Sequence, residues 1–569
     1  MLVASAMMMG TLVVTNDTLM GHRVVLDQTG KLVPWLQDPE PFSKLTELAW
    51  TYWTGSGVPN MNGHPLWYWY PSWHPGQPRG NDWPATPASM VMWMAAASIA
   101  QHAYSGNNSA VHNLAMPLAL YAIANGTTPL DAGWVWGGMP YASSDPGAPY
   151  FRGANSSRFG GKGVGDGIGV IEPDKAAQAA LGFLLLANAT SEAQGGPLRS
   201  AAIAIGDTLA ANVRASPLSD ASHSPWPFRV WAKDGTVEEE YTSNVQLALL
   251  VLDTLLAQCA SLDCTAPLSL RYSRESMPRA RAYERAARLA LEWQQTYPEA
   301  NGRWTACCED VTIDNSRTND NSVQPLQAAQ YLIARRVSGW ETRARRILAT
   351  VEKELIFNQN CSQHASRKIC PGPAVQWGAR TVAEQLYYPI KMGVHTGRYA
   401  ATVAMLNDAA SGGGNATLAD IAYRSFSWAL YCTQADGANL VGPQEQDIWF
   451  RIQLMAGVLQ PIDAMAYAAR DRPSADHLLL TLPFGIAAGG TVLTRAAYAK
   501  GRVEWSTSGL PSTERLRLTF APRSVVAGGK ALPRHDPSTL QPLGWWSHEE
   551  ATGLTMVHHT SAKDVVVAA

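Results

Sequence analysis

Apolar residues recur at helical spacing along most of this chain, from about residue 41 to residue 460. Long connections rich in Trp, Tyr, Gly, Asp and Glu alternate with short ones, and the long ones cover about residues 54–85, 125–173, 215–239, 298–322, 358–380 and 432–446. Consecutive antiparallel helices place every second connection at the same end of a bundle. The pattern therefore predicts about six helical hairpins with one elaborated end, where we expect the functional groups because they concentrate on loops held by a rigid scaffold.

The spacing predicts about thirteen helices. They cover residues 41–53, 86–104, 109–124, 174–188, 197–214, 240–258, 278–297, 323–336, 340–357, 381–392, 398–409, 417–431 and 447–460. From about residue 477 the spacing changes to period two, as in residues 502–505 and 515–520, with Gly and Pro between the runs. We therefore expect an N-terminal segment (1–40), a helical domain (41–470) and a small antiparallel β-sandwich-like domain (471–569).

Composition narrows the class of protein. Charged residues make up 16% of the chain, against about 25% in typical domains, whereas it contains 21 Trp and 19 Tyr. A formal net charge of -2 without a basic run argues against a nucleic-acid binder. No apolar stretch approaches the roughly 20 residues that span a bilayer, and Leu2–Val14 lacks the basic leader and cleavage site of a signal peptide. Nothing in the sequence requires a cofactor, and nothing predicts the oligomeric state.

Cysteines and glycosylation sequons favour an exported protein, either extracellular or periplasmic. Two close pairs, Cys259 with Cys264 and Cys361 with Cys370, flank polar segments and fit short-range disulfides. Asn-x-Ser/Thr sequons occur at Asn16, Asn107, Asn125, Asn155, Asn188, Asn360 and Asn415. Chance can produce such sequons in a Gly-, Ser- and Thr-rich chain, but together with the paired cysteines they favour an oxidising compartment. Without a CxxC or HExxH pattern we expect no metal site.

Aromatic side chains crowd the long connections. Candidate substrate-binding rings are Trp67 and Trp69 in the first, Trp136 in the second, and Trp226 and Tyr241 in the third. A contiguous exposed aromatic patch needs a reason, and the apolar C–H faces of sugar rings supply one by stacking on Trp. The alternative is that the rings pack beneath the loops as a satellite of the core. Arg229, beside Trp226, would suit the carboxylate of a uronic acid, which a guanidinium binds through two hydrogen bonds.

Several segments resemble a known superfamily. They are Ile171–Lys175, Ser224–Val230, Trp304 with Glu309 and Asp310, Trp377 and Gly378 with Glu384 and Gln385, and His395–Tyr399. Together with the alternating hairpins, the aromatic loops and the trailing β module, they make residues 41–470 similar to the six-hairpin glycosidase superfamily of glycoside hydrolases and polysaccharide lyases. The resemblance implies a mainly α fold, an (α/α)6 toroid of hairpins followed by a small antiparallel β module. It also implies a central cavity that binds an oligo- or polysaccharide, with acidic residues at its floor.

Glycoside hydrolysis needs two carboxyl groups at the scissile bond, one protonated and one ionised. Asp174, Asp310 and Glu384 each adjoin a different long connection beside a helix boundary, so they are the first candidates. The second choices are Glu172, Glu309 and Asp447. Each first choice has a structural alternative, since Asp174 can cap its helix, Asp310 can be a solvated loop charge or part of a cation site, and Glu384 can pair with Arg380.

A competing interpretation is β-elimination by a polysaccharide lyase. His395, Arg398 and Tyr399 lie within one segment, in which His or Tyr can act as base or acid. If a helix begins near Val394, His395 and Arg398 share a face, because they are three residues apart. Against this interpretation, the predicted helices place the segment on a short connection, at the plainer end. A non-catalytic carbohydrate-binding toroid is a third possibility, because fold alone does not fix function.

The sequence thus favours a carbohydrate-active enzyme, above all a glycoside hydrolase, acting on a glycan with or without uronic acid. In this hypothesis Asp174, Asp310 and Glu384 supply the acid and base, and Arg229 and His395 orient polar groups. Trp67, Trp69, Trp136 and Trp226 form the walls on which the sugar rings stack. In the lyase alternative, His395 or Tyr399 takes the proton.

Overall fold

The computed structural model describes both the helical and the β-rich parts of the chain. The described residues are 12–37, 41–70, 73, 94, 111–130, 133–143, 167–214, 223–259, 265, 268, 277–304, 320–364, 366–409, 415–443, 493–507, 512–535, 544–550, 554–559 and 564–569. The helices predicted at 86–104, apart from Met94, and at 447–460 lie outside the described residues.

Helices form the larger part of the regular structure before residue 443. They are α1 (Pro41–Thr54), α2 (Leu66–Trp69), α3 (Met116–Asn125), α4 (Pro173–Ala189), α5 (Glu192–Ala211), α6 (Gln246–Ala257), α7 (Arg279–Thr296), α8 (Pro298–Asn301), α9 (Val323–Arg335), α10 (Trp340–Val351), α11 (Gly393–Ala409) and α12 (Ala416–Leu430), with π-helical turns at Val111–Ala115 and Glu352–Ile356. Local chemistry fixes several boundaries. The Asn415 side chain accepts a hydrogen bond from the N–H of Thr417 at 2.8 Å and so caps the start of α12. Helix α9 ends at Arg335, because the next residue, Arg336, has a left-handed backbone.

The helices pair as hairpins, α4 with α5, α6 with α7, α9 with α10 and α11 with α12. We refer to the first member of each pair as a leading helix and to the second as a trailing helix. Leading helices contact one another in chain order, α4 with α6, α6 with α9, and α9 with α11. They follow the long connections 126–172, 212–245, 302–322 and 357–392. Within the described ranges, the elaborated connections therefore meet at one end, as the sequence predicted, and we call it the leading-helix end.

Burial distinguishes the two kinds of helix. In α4 every residue from Pro173 to Asn188 is buried, and in α9 every residue from Val323 to Ile333 is buried. The trailing helices α7 and α10 instead bury one stripe and expose the opposite face, which carries Arg288 and Arg345. A helix buried on all sides lies inside a domain, whereas one with a single apolar stripe lies at its surface. Trailing helices α7 and α10 thus form part of an outer layer around α4 and α9.

Buried ion pairs join elements of this outer layer. Arg279 of α7 binds Asp207 of α5 through two hydrogen bonds of 2.8 and 2.9 Å. Arg343 of α10 donates from Nε to Glu299 Oε2 at 2.8 Å, and Gln294 of α7 donates to the other oxygen of Glu299 at the same distance. The charged groups are therefore paired where the layer buries them, as burial of charge requires.

The helix predicted at residues 381–392 is wrong. This stretch contains turns and isolated bridges, among them Ala383 with Lys391, and it completes a connection that runs from residue 357 to residue 392. Pro389 also opposes a helix here, because it removes an N–H and disfavours helical backbone at the residue before it. Helix α11 begins at Gly393 rather than at residue 398. His395, Arg398 and Tyr399 consequently lie in the first two turns of a leading helix, at the elaborated end and not at the plainer one.

The N-terminal segment packs against the last described hairpin. Strands β1 (Val13–Leu19) and β2 (His22–Leu26) pair antiparallel. The Tyr431 hydroxyl, at the end of α12, accepts the Val25 N–H at 2.9 Å and donates to Val33 O at 3.0 Å. Lys31 pairs with Asp420 of α12 at 2.5 Å. Residues remote in sequence therefore share one core.

Helix α1 contacts the segment that follows α12. The Trp53 indole donates to Asn439 Oδ1 at 2.7 Å. Gly437, at φ +90°, lies so close to α1 that a Cβ there would overlap the Leu48 carbonyl oxygen. Glycine alone fits both the left-handed backbone and the close approach. The beginning and the end of the described helical region thus touch.

Antiparallel strands form the regular structure from residue 493 onward. One sheet has the order β12–β13–β19–β15–β16 and a second has the order β14–β18–β17. Their bounds are β12 (Leu493–Ala499), β13 (Arg502–Thr507), β14 (Ser512–Arg517), β15 (Ser524–Ala527), β16 (Lys530–Ala531), β17 (Trp545–Glu549), β18 (Leu554–His559) and β19 (Asp564–Ala568). The predicted antiparallel strands near 502–505 and 515–520 are confirmed.

Short strands also line the long connections. They are β3 (Asn60–Met61), β4 (His64–Pro65), β5 (Val170–Ile171), β6 (Arg229–Trp231), β7 (Val237–Glu239), β8 (Ser362–His364), β9 (Arg367–Ile369), β10 (Val375–Gln376) and β11 (Ala379–Arg380). The predicted Cys361–Cys370 disulfide closes the β8–β9 hairpin and is confirmed. Cys259 is also disulfide-bonded, to a cysteine outside the described residues. Among the sequons, Asn16 and Asn360 are exposed, whereas Asn188 is buried.

Candidate functional site at the leading-helix end

Buried polar side chains collect where α4, α6, α9 and α11 begin. They include Glu172, Asp174, Asn244, Gln246, Asn321, Ser322, Gln324, Glu384, His395 and Arg398, each at most 9% exposed. Backbone N–H groups and the positive end of the helix dipole favour carboxylates at such an end. Burying polar groups costs free energy unless they find partners, so their contacts decide what the site can do.

Glu172 belongs to a buried ion-pair cluster. Strand β5 leads into α4 and pairs with β6, which carries Arg229. The Nε of Arg229 donates to Glu172 Oε1 at 2.8 Å, and its Nη1 donates to Glu239 Oε1 at 3.2 Å. Two carboxylates of the chain thus hold the guanidinium that the sequence suggested for a uronate. In this structure Arg229 fixes the loop in front of α4.

Asp174 joins the starts of two neighbouring leading helices. Its Oδ2 accepts a hydrogen bond of 2.7 Å from Asn244 Nδ2, and Asn244 lies just before α6. Its Oδ1 accepts the Lys175 N–H at 2.8 Å. The N-cap of α4 is Glu172, so Asp174 lies in the first turn and does not occupy the cap position. The buried carboxylate is held in place by two N–H donors.

Glu384 lies beside the start of α9. Its carbonyl oxygen accepts the Ser322 N–H at 3.0 Å, and its own N–H donates to Ile390 O at 3.0 Å. Arg380, the partner considered from the sequence, pairs instead with Glu352 at 2.5 Å. Backbone contacts therefore place Glu384 where the connection to α11 meets the start of α9.

His395 and Arg398 lie one turn apart on α11 and are 0% and 4% exposed. Burial, followed by the charge of Arg398, holds the pKa of His395 well below its ordinary value, so the imidazole is neutral at pH 7. Burial lowers the pKa of Arg398 to about 10, which leaves the guanidinium charged at neutral pH. A neutral base and a fixed cation are thus adjacent.

Tyr399 takes part in a different network. Its hydroxyl donates to Glu352 Oε1 at 2.5 Å and accepts from Arg380 Nη1 at 3.0 Å. Burial and then the Glu352 charge raise the pKa of Tyr399, so the phenol stays protonated. These contacts tie α11 to the π-helical turn after α10. They give Tyr399 a structural function and make it a poor base.

The aromatic candidates lie in the core. The indole N–H groups of Trp67, Trp69 and Trp226 donate at 2.9 Å to the carbonyls of Trp53, Met61 and Leu209, respectively. Trp136 is also buried, and the buried Tyr241 packs on Trp293 and Tyr297. In this conformation these rings offer little surface to a sugar, and they contribute to the core as satellite packing would.

Sequence reasoning missed the amide groups of this end. Gln324, Gln327 and Gln330 recur every three residues on the fully buried helix α9. Residues three apart are neighbours on a helix surface, so this spacing is the sequence signal from which the amides could have been found. Lys391 was missed as well: its Nζ donates to the carbonyls of Leu355 and Ile356 at 2.9 and 3.0 Å, and burial lowers its pKa to about 8. Asp310, Glu309 and Asp447 lie outside the described residues.

No helix within the described ranges is long and apolar enough to cross a membrane. In the same part of the chain, no group of three or more His, Cys, Asp or Glu side chains has an arrangement that could hold a metal ion.

Comparison with known proteins gives structural likeness only. Neither a protein-family model nor a curated protein sequence matches this chain. It is similar in structure to a family 76 glycoside hydrolase from a bovine Bacteroides thetaiotaomicron strain, at 12% identity and a TM-score of 0.41 over 74% of this chain and 76% of that one. It is also similar to a family 127 β-L-arabinofuranosidase from Geobacillus stearothermophilus, at 10% identity and a TM-score of 0.32 over 94% of this chain and 76% of that one. The matched structures thus include glycoside hydrolases.

Proposed function

We propose that this protein is a carbohydrate-active enzyme, a glycoside hydrolase with its active site at the leading-helix end. The observation that carries the proposal is the position of Asp174 and Glu384. Two different long connections bring these buried carboxylates to the starts of leading helices of one contiguous series. Hydrolysis of a glycosidic bond needs a pair of carboxyl groups that flank the scissile bond.

The architecture proposed with this function is the (α/α)6 toroid. Successive contacts between leading helices, from α4 to α11, support it. The contact of α1 with the segment after α12 supports it as well, because a closed ring brings its first and last hairpins together. Such a ring surrounds its polar end with loops and leaves room there for a saccharide.

The contacts suggest a division of roles. Asp174 accepts hydrogen bonds from two N–H donors. An ionised carboxylate only accepts hydrogen bonds, so we assign Asp174 the role of the ionised carboxyl group. Glu384 and Asp310 are the candidates for the proton donor. Glu172, already bound to Arg229, is a positioning residue that fixes the approach to α4.

Single carboxyl-to-amide variants test this proposal. We expect Asp174→Asn and at least one of Glu384→Gln and Asp310→Asn to lose more than about a hundredfold in turnover while keeping glycan affinity. Glu192→Gln is the matched control, because Glu192 is 81% exposed and pairs only with Arg199 among the described residues. The assay follows new reducing ends on a panel of neutral and uronate-containing glycans. Full activity in all three variants would contradict the assignment, and binding without turnover in the unmodified protein would favour a carbohydrate-binding scaffold.

β-Elimination is the second candidate function, because His395 lies at the leading-helix end beside Arg398. A neutral imidazole can take the proton next to a uronate carboxylate, and the guanidinium can balance the charge of that carboxylate. Ultraviolet absorbance of an unsaturated product, recorded with the reducing ends, separates the two reactions. Reducing ends without the chromophore indicate hydrolysis, whereas both signals together indicate elimination.

A further inference from the structure

Buried polar side chains occur on both of the leading helices α9 and α11, which contact each other. The Nε2 of Gln330 donates to Thr402 Oγ1 at 3.0 Å and fixes the register of the two helices, which both begin at the leading-helix end. An α-helix rises about 1.5 Å per residue. Along the helix axes, Gln327 therefore lies about 4.5 Å closer to the leading-helix end than Gln330 does, and Arg398 lies about 6 Å closer than Thr402 does. Gln324 and His395 lie at a common level one turn further along. Polar side chains of the two helices therefore lie at similar levels near the leading-helix end.

Arg398 is the unusual member of this polar set. It is 4% exposed, and among the described residues its Nε has no hydrogen-bond acceptor and no acid forms an ion pair with it. Every other Arg considered above as buried has a carboxylate partner: Arg229 has Glu172, and Arg343 has Glu299. A buried charge without a partner is costly, so a chain that retains one gains something by it elsewhere.

Amide atoms of α9 near this end also lack partners among the described residues. Both polar atoms of the Gln324 amide and the Oε1 of Gln327 are buried without a hydrogen bond to any described residue. An amide oxygen accepts from a hydroxyl and an amide nitrogen donates to one. This set recognises a molecule with several hydroxyl groups, while the guanidinium recognises an anionic group on the same molecule.

We propose that Arg398 binds the carboxylate of a uronic acid at the leading-helix end, with Gln324 and Gln327 bound to hydroxyls of the same sugar. The proposal deepens the function proposed above and rests on it, because it specifies the substrate as a uronate-containing glycan. A planar guanidinium meets a planar carboxylate through two parallel hydrogen bonds, which a neutral sugar cannot provide.

Binding of single sugars tests the proposal without any turnover. Calorimetric titration of the full chain compares D-glucuronate and D-galacturonate with their uncharged methyl esters. We expect at least one acid to bind the unmodified protein at least tenfold more tightly than its ester. Arg398→Met should abolish this preference, and Arg398→Lys, which keeps the charge but not the planar pair of donors, should retain part of it.

Thermal unfolding provides a second measurement, with a matched control. Arg398→Met should raise Tm by about 1–2 °C, because it removes a buried charge that has no acidic partner among the described residues. Arg343→Met removes a buried Arg that does have a partner, so it should lower Tm and leave the preference for the acid intact. A fall in Tm for Arg398→Met as large as that for Arg343→Met would show a structural role and overturn the proposal.

The remaining outcomes separate this proposal from the proposed function. Equal affinity for acid and ester, or a preference that survives in Arg398→Met, would overturn the uronate subsite. Hydrolysis of neutral glycans with no preference for acids would uphold the hydrolase and overturn the subsite. A preference for acids that depends on Arg398, without turnover of any glycan, would uphold the subsite and overturn the hydrolase.

Discussion

At the scale of the residue, buried charge dominates the polar end of this protein. Arg229 binds two carboxylates and Arg343 binds one, whereas Arg398 has no acid of the described ranges to bind. Removing one partner of a buried pair leaves the other charged and desolvated, which costs more than the pair contributes by forming. Substitutions among these arginines should therefore differ widely in effect although all three are buried.

Arg229→Gln should lower the free energy of unfolding by about 3–5 kcal/mol, because the buried Glu172 and the half-buried Glu239 would remain without their cation. Chemical denaturation followed by circular dichroism measures the change. Arg288→Gln is the control, since Arg288 forms an exposed pair with Glu292 one turn away, and it should change stability by less than about 1 kcal/mol. Equal effects of the two substitutions would contradict the burial of the Arg229 cluster.

His395 should make the stability depend on pH. Its pKa in the folded protein lies well below its ordinary value, so in mildly acidic solution the unfolded chain binds the proton and the folded one does not. The contribution of neutral His395 to the free energy of unfolding is complete above about pH 6.5. It is lost as the pH falls from there towards the pKa of His395 in the folded protein, at up to about 1.4 kcal/mol per pH unit. The measurement is the difference in unfolding free energy between the unmodified protein and His395→Asn. A difference that stays constant from pH 8 to pH 5 would contradict the prediction.

Loop aromatics show where residue-level prediction from sequence fails. Trp67 and Trp226 occur in aromatic loop segments, but their indole N–H groups bind backbone carbonyls inside the core. Whether a Trp on a connection is exposed depends on which elements cover it, and that is a tertiary property that local sequence does not encode. By contrast, the position of Asp174 in the first turn of a helix could be predicted, because the signals for a helix start are local.

At the scale of the element, α11 is the helix whose position changes the functional argument. The alternation of connection lengths correctly predicts that the long connections meet at one end. The short apolar run at residues 381–392, however, predicts a helix that the structure does not contain. The bridge between Ala383 and Lys391 and the presence of Pro389 explain the error, because apolar spacing over so few residues does not distinguish a packed loop from a helix. Because this stretch is not helical, His395 and Arg398 lie at the leading-helix end, where Asp174 and Glu384 also lie.

Tyr399→Phe tests the role of α11 in the two reactions. The change removes a hydrogen bond to Glu352 and should cost about 1.5–3 kcal/mol of stability, because that bond is to a charged group. Turnover measured below the melting range should change by less than about threefold. A loss of a hundredfold or more in a folded variant would instead support Tyr399 as a catalytic acid or base in the lyase interpretation.

At the scale of the whole molecule, long-range contacts hold the chain together. The N-terminal segment packs on α12, and α1 packs on the segment after α12. The sequence predicted the helical region, its hairpins and the trailing strands, because periodicity reports these directly. It gave no sign that residues 13–33 would share a core with residues 420–433, because a contact between two remote segments leaves no periodic trace in either of them.

Tyr431→Phe should weaken this long-range contact. The substitution leaves the buried N–H of Val25 and the Val33 carbonyl without their partner, at a cost of about 1–3 kcal/mol. Limited proteolysis should then cut the N-terminal segment faster than in the unmodified protein. Tyr498→Phe, at a partly exposed tyrosine of β12, is the control and should leave the cleavage rate unchanged. An unchanged rate in Tyr431→Phe would show that the hydroxyl does not hold the segment.

The contact between Lys31 and Asp420 also has a consequence for the order of synthesis. The two residues are 389 positions apart, and a ribosome that adds about 5–20 residues each second needs roughly 20–80 s to cover that distance. During that interval the β1–β2 hairpin has emerged without the helix on which it packs. A chaperone that shields this hairpin would therefore act before α12 exists, and slowing translation between the two segments would lengthen the period of exposure.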